Sequence, residues 1–335
     1  MKKTLIASSV LAAVIGFSAG IAGAAELNIT LGHSVGEEST QQVTSLAFQN
    51  KLAEISNGEA EVTIYPNAQM GGDRELVEGV QSGSLGITTS SPAPQASFVP
   101  SAAIFDLPFA FATVDDIDKV FKDPEYKDPD EFIKALGAEY NKAGFHLLGV
   151  ANLGFRITTA NKAVNSPADL KGLTIRTMEN KNHIAMWRAL GANPTPLAFN
   201  ELYTALQQGT VDAQENPMEL IWTQKYYEQQ SDISKTNHIP HCICWIMNKD
   251  QYDSMSEKQQ REVDDAMAYA ISAGEQYIRS HDAEYEKKLT EAGRKIHTLS
   301  PEQLSKFKEL VTGLYPSIEK QVTPEVFKSY TKYMK

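Results

Sequence analysis

Two arginines, Arg156 and Arg176, have the residue type and the placement to bind an acid. Each belongs to a predicted strand end, in the runs Phe155–Thr159 and Leu173–Arg176. Ligands of open α/β sheets gather beyond the carboxyl ends of the strands. A guanidinium can hold a carboxylate there through two parallel hydrogen bonds, a geometry that lysine cannot copy. For either arginine alone, the alternative is a structural salt bridge on a solvated face.

A second group of chemically capable residues comprises His238, His241, Cys242 and Cys244. Cysteines two positions apart share one face of a strand. They could form a strained bridge, but we expect two buried thiols. The four residues resemble ligands of a soft metal, yet two ligands on one short strand rarely close a tetrahedral site and no second pair occurs elsewhere. We therefore expect no metal and no cofactor.

Sequence motifs of catalysis are missing. Beyond the apolar N-terminal segment the chain has no G-x-S-x-G, no H-E-x-x-H, no G-x-x-x-x-G-K and no G-x-G-x-x-G opening a helix. Its seven histidines are scattered along the chain. Carboxylate pairs leave no trace in a sequence, so catalysis stays open as an alternative. We expect a binding protein and not an enzyme.

The elements that position these residues follow from hydrophobic patterns. In the first part of the chain the predicted order is a strand at 27–32, a helix at 41–55, a strand at 61–65, a helix from 73 to 80 with Asp73 as N-cap, and a strand at 87–91. This order implies parallel strands joined by right-handed crossovers. The middle of the chain repeats it, with strands at 144–151, 155–159, 173–176, 211–213 and 242–247 and helices at 182–190 and 200–208.

A long helix is predicted after residue 256. Ser256 and Gln259 form a capping box, and neither proline nor glycine follows until Gly274. Apolar residues continue at helical spacing to Leu289, and Gly293 ends the pattern. If Gly274 is tolerated, the helix has about 36 residues and a length of roughly 54 Å, which is enough to cross two lobes. Gly274 could ease bending of this helix, or the helix could serve packing alone.

Length and charge narrow the class of protein further. A chain of 335 residues is longer than one compact core usually serves, so two domains are expected. Its 42% hydrophobic and 22% charged residues are typical of a folded globular protein. The formal net charge of −11 repels nucleic acid and anionic membrane surfaces, so we expect no nucleic-acid partner. An anionic ligand would need positive charge concentrated in one place.

The first 25 residues have the layout of a secretory signal peptide, with a basic start, an apolar stretch at 5–21 and small residues at 22–25. A membrane anchor is the alternative, but Ser18 and Gly20 interrupt the stretch. No other segment approaches the ~20 apolar residues that span a bilayer. We therefore expect export, with no stable insertion into the membrane.

Several runs of sequence occur in an order found in one receptor family. They are Phe155–Thr159, Pro167–Arg176, Leu190–Pro196, Phe199–Leu206, Gly209–Pro217 and Thr236–His238, with Gln69–Glu75 and Asp106–Phe109 outside this block. Through these runs the chain resembles the solute receptors of tripartite ATP-independent periplasmic (TRAP) transporters, the DctP-like family. The likeness extends over most of the chain after residue 25, which makes it specific.

The resemblance implies an α/β, two-lobed periplasmic-binding-protein-like fold, with the long helix spanning the lobes. It implies that lobe I comprises 26–153 and 242–281, and that lobe II comprises 154–241 and 282–335. The implied partners are a small organic acid and the membrane subunits of a TRAP transporter. The implied location is the periplasm, and we expect a monomer.

The resemblance also assigns roles to residues of the site. In such receptors the arginine at the position of Arg176 pairs with the ligand carboxylate, and the arginine at Arg156 assists. The asparagine at Asn216 hydrogen-bonds nearby, and Phe199 matches the aromatic residue that packs on the ligand. Position 179 is typically asparagine in sialic-acid-type receptors but is Glu179 here, which would repel a second acidic group and suit hydroxyls.

Three further candidates, Ser34, Ser91 and Arg74, would reach the ligand from the other lobe. Their alternative roles are loop caps and a surface ion pair. Glu179 favours a sugar acid, such as a hexuronate or an aldonate, over a C4-dicarboxylate, although a second acid could pair with Arg74. Of another class, an exported lyase or hydrolase of acidic sugars and a sensor ectodomain remain alternatives.

Overall fold

The computed structural model describes residues 26–122 and 131–334, so the predicted signal peptide lies outside the described residues. The strands are β1 (Leu27–Gly32), β2 (Ala60–Tyr65), β3 (Ile87–Ser90), β4 (Phe145–Ala160), β5 (Thr174–Thr177), β6 (Asn193–Pro196), β7 (Ala213–Asn216), β8 (Asp232–Asn248) and β9 (Lys295–Thr298). The helices are α1 (Thr40–Ile55), α2 (Asp73–Ser82), α3 (Pro92–Gln95), α4 (Val114–Lys122), α5 (Glu131–Lys142), α6 (Lys181–Ala189), α7 (Leu202–Gln207), α8 (Met218–Thr223), α9 (Lys249–Ser254), α10 (Glu257–Glu291), α11 (Pro301–Val311), α12 (Tyr315–Glu319) and α13 (Pro324–Thr331). Short 3-10 helices occupy Pro100–Asp106, Pro167–Leu170, Phe199–Glu201, Tyr226–Glu228 and Thr312–Leu314.

The strands form a mixed sheet in the order β2-β1-β3-β8-β4-β7-β5-β6, with β9 paired to β8. The pairs β1–β2 and β1–β3 are parallel, as the alternating pattern predicts. The sheet is nevertheless mixed, because β8 runs antiparallel to both β3 and β4, and β4 runs antiparallel to β7. The predicted α/β class is therefore confirmed, with antiparallel pairing at its centre.

Two long strands connect the two lobes. β4 has 16 residues and β8 has 17, so each extends well beyond its shorter neighbours. The end of β8 at Cys244–Met247 pairs with β3, whereas the end of β4 at Ile157–Ala160 pairs with β7. One group of strands, β1 to β3, thus forms the sheet of lobe I, and β5 to β7 form that of lobe II.

The backbone is irregular where β4 and β8 cross between the lobes. The register of their pairing shifts between Asn152 and Phe155 and again between Arg156 and Thr158. Gly154 and Asn237 lie in the left-handed region, with φ of 95° and 44°. Such breaks in a ladder bend a strand locally. We expect these positions to absorb rotation of one lobe against the other.

Helix α10 is a single helix of 35 residues, which confirms the predicted long helix and its capping box at Ser256. Its buried residues join one apolar core that also contains Ile29 and Phe48 of lobe I and Ile157 and Ile233 of lobe II. The helix therefore spans both lobes. No helix in the described ranges combines the length and the apolar character needed to cross a bilayer.

The last two helices, α12 and α13, pack against residues of the predicted lobe I. Tyr330 of α13 contacts the rings of Phe105, Phe111 and Phe132, with centroid distances of 5.6, 5.2 and 5.1 Å. The predicted division placed 282–335 in lobe II, whereas the three phenylalanines that Tyr330 contacts belong to the part of the chain assigned to lobe I. The lobe boundaries stay a prediction.

Gly274 lets α10 approach α1 closely. A Cβ atom added to Gly274 would lie 2.1 Å from Thr44 Oγ1 and 3.4 Å from Thr44 Cβ. The Thr44 hydroxyl donates to the carbonyl of Thr40 at 2.9 Å, so moving it would break a buried bond. The glycine therefore serves close packing, and α10 passes through it without interruption.

We predict that Gly274→Ala lowers the free energy of unfolding by about 1–3 kcal/mol, because overpacking displaces Thr44 or the whole helix. Gly137→Ala is the matched control, since Gly137 also lies in a helix but has no atom near the added Cβ. The control should be neutral or stabilising by about 0.5–1 kcal/mol. Urea unfolding of the two variants measures both effects. Equal stabilities would show that α10 has no close approach at Gly274.

Candidate ligand-binding site

A cavity lies between the lobes. Its lining combines residues from the two sides of the chain: Ser34, Val35, Gln41, Asp73, Ser90 and Ser91 on one side, and Arg156, Met178, Phe199, Asn216, Leu220 and His241 on the other. Five of the eight residues predicted for the site, Ser34, Ser91, Arg156, Phe199 and Asn216, are therefore brought together. The cavity contains cationic, acidic, amide, hydroxyl and aromatic groups, which suits a small polar ligand.

Arg156 is neutralised inside the protein. It lies within β4 and not at a strand end, and its side chain is fully buried. Its Nε donates to Glu215 Oε2 at 2.5 Å, and its Nη2 donates to Glu215 Oε1 at 3.0 Å and to Asn216 Oδ1 at 2.9 Å. Sequence reasoning identified the arginine and the asparagine but missed Glu215, which immediately precedes Asn216 in the run Gly209–Pro217.

Glu215 is held as a carboxylate by its neighbours. Burial by itself would raise its pKa, but the Arg156 charge and the hydrogen bonds from His238 and Arg156 outweigh burial and hold the pKa well below its usual range. Burial lowers the pKa of both His238 and His241, the latter strongly. Both imidazoles are therefore neutral at pH 7, and neither adds positive charge to the cavity.

Arg176 is buried and only partly satisfied. It lies in β5, and its Nε and Nη2 donate to the carbonyl of Leu197 at 3.0 and 2.8 Å. Its Nη1 is buried and has no hydrogen-bond partner within 26–122 and 131–334. Burial lowers the pKa of Arg176, while Tyr226, Glu215 and Asp73 raise it. Arg176 does not line the cavity directly, but it interacts electrostatically with Asp73 and Arg156, which do.

Asp73 is a site residue that sequence reasoning missed. It was predicted to cap α2, but the N-cap is Gly72 and Asp73 is the first residue of the helix. Its carboxylate accepts a hydrogen bond of 2.5 Å from Ser34 Oγ and faces the cavity. Burial raises the pKa of Asp73, against the opposing effects of Ser34, Arg176 and Arg156. The sequence carried one clue, the two glycines that precede an acid at a strand-to-helix turn.

Besides Arg176, two more predicted residues, Glu179 and Arg74, do not line this cavity. Glu179 is exposed and lines a separate cavity beside Asn180 and Gln321. Arg74 is half exposed, pairs with Glu78 at 3.1 Å and lies over the ring of Phe98. The structure thus places Arg74 in the surface ion pair that was its alternative role. The site roles of both residues remain predictions.

The two cysteines are buried free thiols. Burial raises the pKa of Cys242 well above its usual value and that of Cys244 to about 12. Thiols held in this protonated state are inert as nucleophiles. No group of three or more potential metal ligands occurs within the described residues.

A polar cavity between two lobes, with a buried arginine behind one wall and an acid on the other, defines a solute receptor of the two-lobed periplasmic-binding class. The model of one family, "Bacterial extracellular solute-binding protein, family 7" (DctP), matches residues 31–321. The chain belongs to this family, which confirms the predicted TRAP receptor.

Known proteins of this class resemble the chain over most of its length. A solute-binding protein of Verminephrobacter eiseniae is 34% identical, over 78% of this chain and 76% of the relative. The sugar acid binding protein of Advenella mimigardefordensis, solved with galactonate, has a TM-score of 0.85 and 29% identity, and the match covers 91% of this chain and 97% of that one. A TRAP periplasmic solute-binding protein of Sulfurospirillum deleyianum, solved with succinate, has a TM-score of 0.83 and 30% identity, covering 93% and 100% of the two chains.

We predict that Arg176→Ala weakens binding of an acidic ligand by about 2–5 kcal/mol, or roughly 30- to 5,000-fold in Kd. The loss follows because the buried ligand carboxylate would lack its guanidinium. Isothermal titration calorimetry with galactonate and with succinate measures the loss. Arg74→Ala, which removes a half-exposed arginine, is the control. It should change the binding free energy by less than about 1 kcal/mol. Undiminished binding by Arg176→Ala would remove this arginine from the site.

Proposed function

We propose that this protein is the periplasmic receptor of a TRAP transporter for a hydroxylated monocarboxylate, that is, a sugar acid such as an aldonate or a hexuronate. The receptor binds the acid between its lobes without changing it chemically and delivers it to the membrane subunits of the transporter. The observation that carries the choice of ligand is the position of Asp73 in the cavity wall.

The charges around the cavity favour one ligand carboxylate over two. Arg156 and Glu215 neutralise each other. The charged side chains that act on Arg176 are those of Arg156, Glu215 and Asp73. Two guanidinium groups thus face two carboxylates, and the sum of these four charges is zero. Glu179, outside the cavity, adds a further negative charge that acts on Asp73. A monocarboxylate paired with Arg176 leaves one net negative charge, whereas a dicarboxylate leaves two. Like charges in a desolvated site cost several kcal/mol.

The chemistry of Asp73 favours hydroxyl groups. An ionised carboxylate can only accept hydrogen bonds, and Ser34 uses one of its oxygens. Sugar hydroxyls can donate to the remaining lone pairs. Ser90, Ser91 and Gln41 supply further polar groups on the same wall. Each neutral hydrogen bond to a hydroxyl contributes roughly 1 kcal/mol net.

Residues of both cavity walls would contact the ligand, and this explains why ligand binding would close the lobes. Asp73 and Ser34 lie on the side of β1 and α2, whereas Phe199 and Asn216 lie on the side of β7. A ligand that contacts both walls is bound fully only when the lobes are together, so it shifts the population toward the closed form. The membrane subunits could then distinguish loaded from empty receptor by shape.

The similarity to solved structures does not choose the ligand by itself. The relative solved with galactonate and the relative solved with succinate are equally similar to this chain, at 29% and 30% identity. A thermal-shift screen with galactonate, glucuronate, succinate and malate tests the proposal. The sugar acids should raise the melting temperature and should be recovered unchanged by mass spectrometry. Stabilisation by succinate or malate alone would reject a sugar acid, and recovery of an altered acid would indicate an enzyme.

We predict that Asp73→Asn shifts the specificity toward dicarboxylates. The Kd for succinate should fall roughly 10-fold or more, because a like charge close to the second carboxylate is removed. The Kd for galactonate should rise, because the amide accepts fewer hydrogen bonds from hydroxyls. Titration calorimetry with both acids measures the ratio of the two Kd values.

Glu179→Gln is the matched control for this prediction, because it removes an exposed carboxylate that lines a different cavity. Its ratio of Kd values should equal that of the unmodified protein. If Glu179→Gln changes the ratio and Asp73→Asn does not, the discriminating acid is Glu179.

A further inference from the structure

Glu219 is a buried carboxyl group that neither the cation network nor the proposed ligand contacts use. It lies in α8, immediately after β7, and only 2% of its surface is exposed. Its Oε1 accepts a hydrogen bond of 2.6 Å from the backbone N–H of Thr40. Thr40 is the first residue of α1, whose N-cap is Ser39. The bond therefore joins a helix that follows β7 to a helix that follows β1.

This hydrogen bond crosses the cleft next to the ligand cavity. The neighbours of the two partners in sequence, Gln41 and Leu220, both line the cavity. α1 packs with the sheet of lobe I through Phe48 and Leu52, whereas α8 follows directly on the last residue of β7, Asn216. Separation of the lobes would break the bond between Thr40 and Glu219 and return both groups to water.

Glu219 makes no ion pair within the described residues. The titratable and charged groups on the elements around it are Glu38 before α1, Tyr226, Tyr227 and Glu228 after α8, Arg279, Asp282, Tyr285 and Lys288 of α10, Lys235 of β8 and Asp115 of α4. Three cations among them are already engaged: Arg279 with Asp118, Lys235 with Glu286, and Lys288 with Glu284. A fourth cation, Lys225 after α8, is exposed to solvent. The partial positive charge at the N-terminus of α1 is thus the main favourable field on the carboxylate.

We propose that Glu219 is a positioning residue for ligand capture, whose carboxyl group docks on the first amide of α1 and couples closure of the lobes to the uptake of a proton. This inference rests on the proposed receptor function but not on the identity of the ligand. A protonated carboxyl group retains a carbonyl oxygen that accepts from Thr40, and it enters the interface without the cost of burying an unpaired charge. Glu219 also lines a second cavity, between β4, β8 and α10, which gives protons a route to it.

The direction of the pH dependence follows from the two states. In the closed form burial raises the pKa of Glu219 to about 7, although the bond from Thr40 opposes the rise. An exposed glutamate has an ordinary pKa of 4.5, and the proposal assigns this value to Glu219 in the open form. Closure therefore takes up a proton between these values. The closed form gains as pH falls from about 7 toward 4.5, by up to roughly 10-fold per pH unit, and the gain is lost above pH 7.

The first measurement uses the protein without ligand. Spin labels on Glu61→Cys in lobe I and Lys171→Cys in lobe II report the separation of the lobes, and the native thiols do not interfere because both are buried. The closed fraction should rise as pH falls from 8 to 5.5. In Glu219→Gln, which keeps an acceptor for Thr40 but cannot ionise, the closed fraction should be high and nearly independent of pH. The same slope in both proteins would overturn the proposal.

A second variant removes the donor and not the acid. Thr40→Pro removes the N–H at the first helical position, where proline is favoured, and Ser39 already has the extended backbone that precedes proline (φ −80°, ψ 154°). The substitution also removes the Thr40 hydroxyl, which itself acts on Glu219, so Thr40→Val, which removes the hydroxyl and keeps the N–H, is the matched control. Without the N–H donor the buried carboxylate of Glu219 loses its hydrogen bond from α1. The closed fraction at pH 8 should therefore fall below that of the unmodified protein. An unchanged closed fraction would show that the bond does not hold the lobes together.

Titration with galactonate separates this inference from the proposed function. The unmodified protein should bind galactonate roughly 30-fold more tightly at pH 5.5 than at pH 8. Glu219→Gln should bind equally at both, apart from any slope that belongs to Asp73. If the lobes close as the pH falls but galactonate does not bind, the role of Glu219 is supported and the sugar acid is rejected as the ligand. If galactonate binds with the same pH profile to the unmodified protein and to Glu219→Gln, the receptor function is supported and the role of Glu219 is rejected.

Discussion

A buried salt bridge between Arg156 and Glu215 determines how charge is distributed around the cleft. The pair joins β4 to β7, and His238, His241 and Asn216 complete its hydrogen bonds. A buried ion is tolerated only when it is paired and hydrogen-bonded. Glu215 neutralises Arg156 inside the fold, whereas Nη1 of the second guanidinium, that of Arg176, has no hydrogen-bond partner among the described residues. The two arginines therefore differ in their surroundings, and the proposed role in ligand binding for Arg176 rests on this unused donor.

Local patterns in the sequence predicted most of the elements. The alternation at 27–32, the stripe at 41–55 and the capping box at Ser256 all correspond to elements of the structure. β8 was predicted only from residue 242, because its first half, from Asp232 to His241, is rich in polar residues. Those polar side chains are buried in hydrogen bonds across the sheet, such as His238 to Glu215. A search for hydrophobic residues at strand spacing cannot detect a strand whose buried face is polar.

The site was harder to predict than the fold because it depends on residues far apart in the chain. Asp73 has the local features of a helix cap, and only the approach of Ser34, 39 positions away, turns it into part of the cavity wall. Glu179 was chosen by its position in a motif, but the backbone directs that position away from the cavity and toward solvent. The family motif named Arg156, Phe199 and Asn216, which line one wall of the cavity, but it did not name Asp73 on the opposite wall.

The return of α13 to lobe I has a consequence for the order of events during synthesis. The aromatic cluster of Phe105, Phe111 and Phe132 is closed by Tyr330, which lies five residues from the C-terminus. An N-terminal domain ordinarily folds while the rest of its chain is still being made. Here the aromatic cluster lacks Tyr330 until nearly the whole polypeptide has been made. The N-terminal residues alone therefore cannot complete this part of the core, and its final packing comes after synthesis of the last helix.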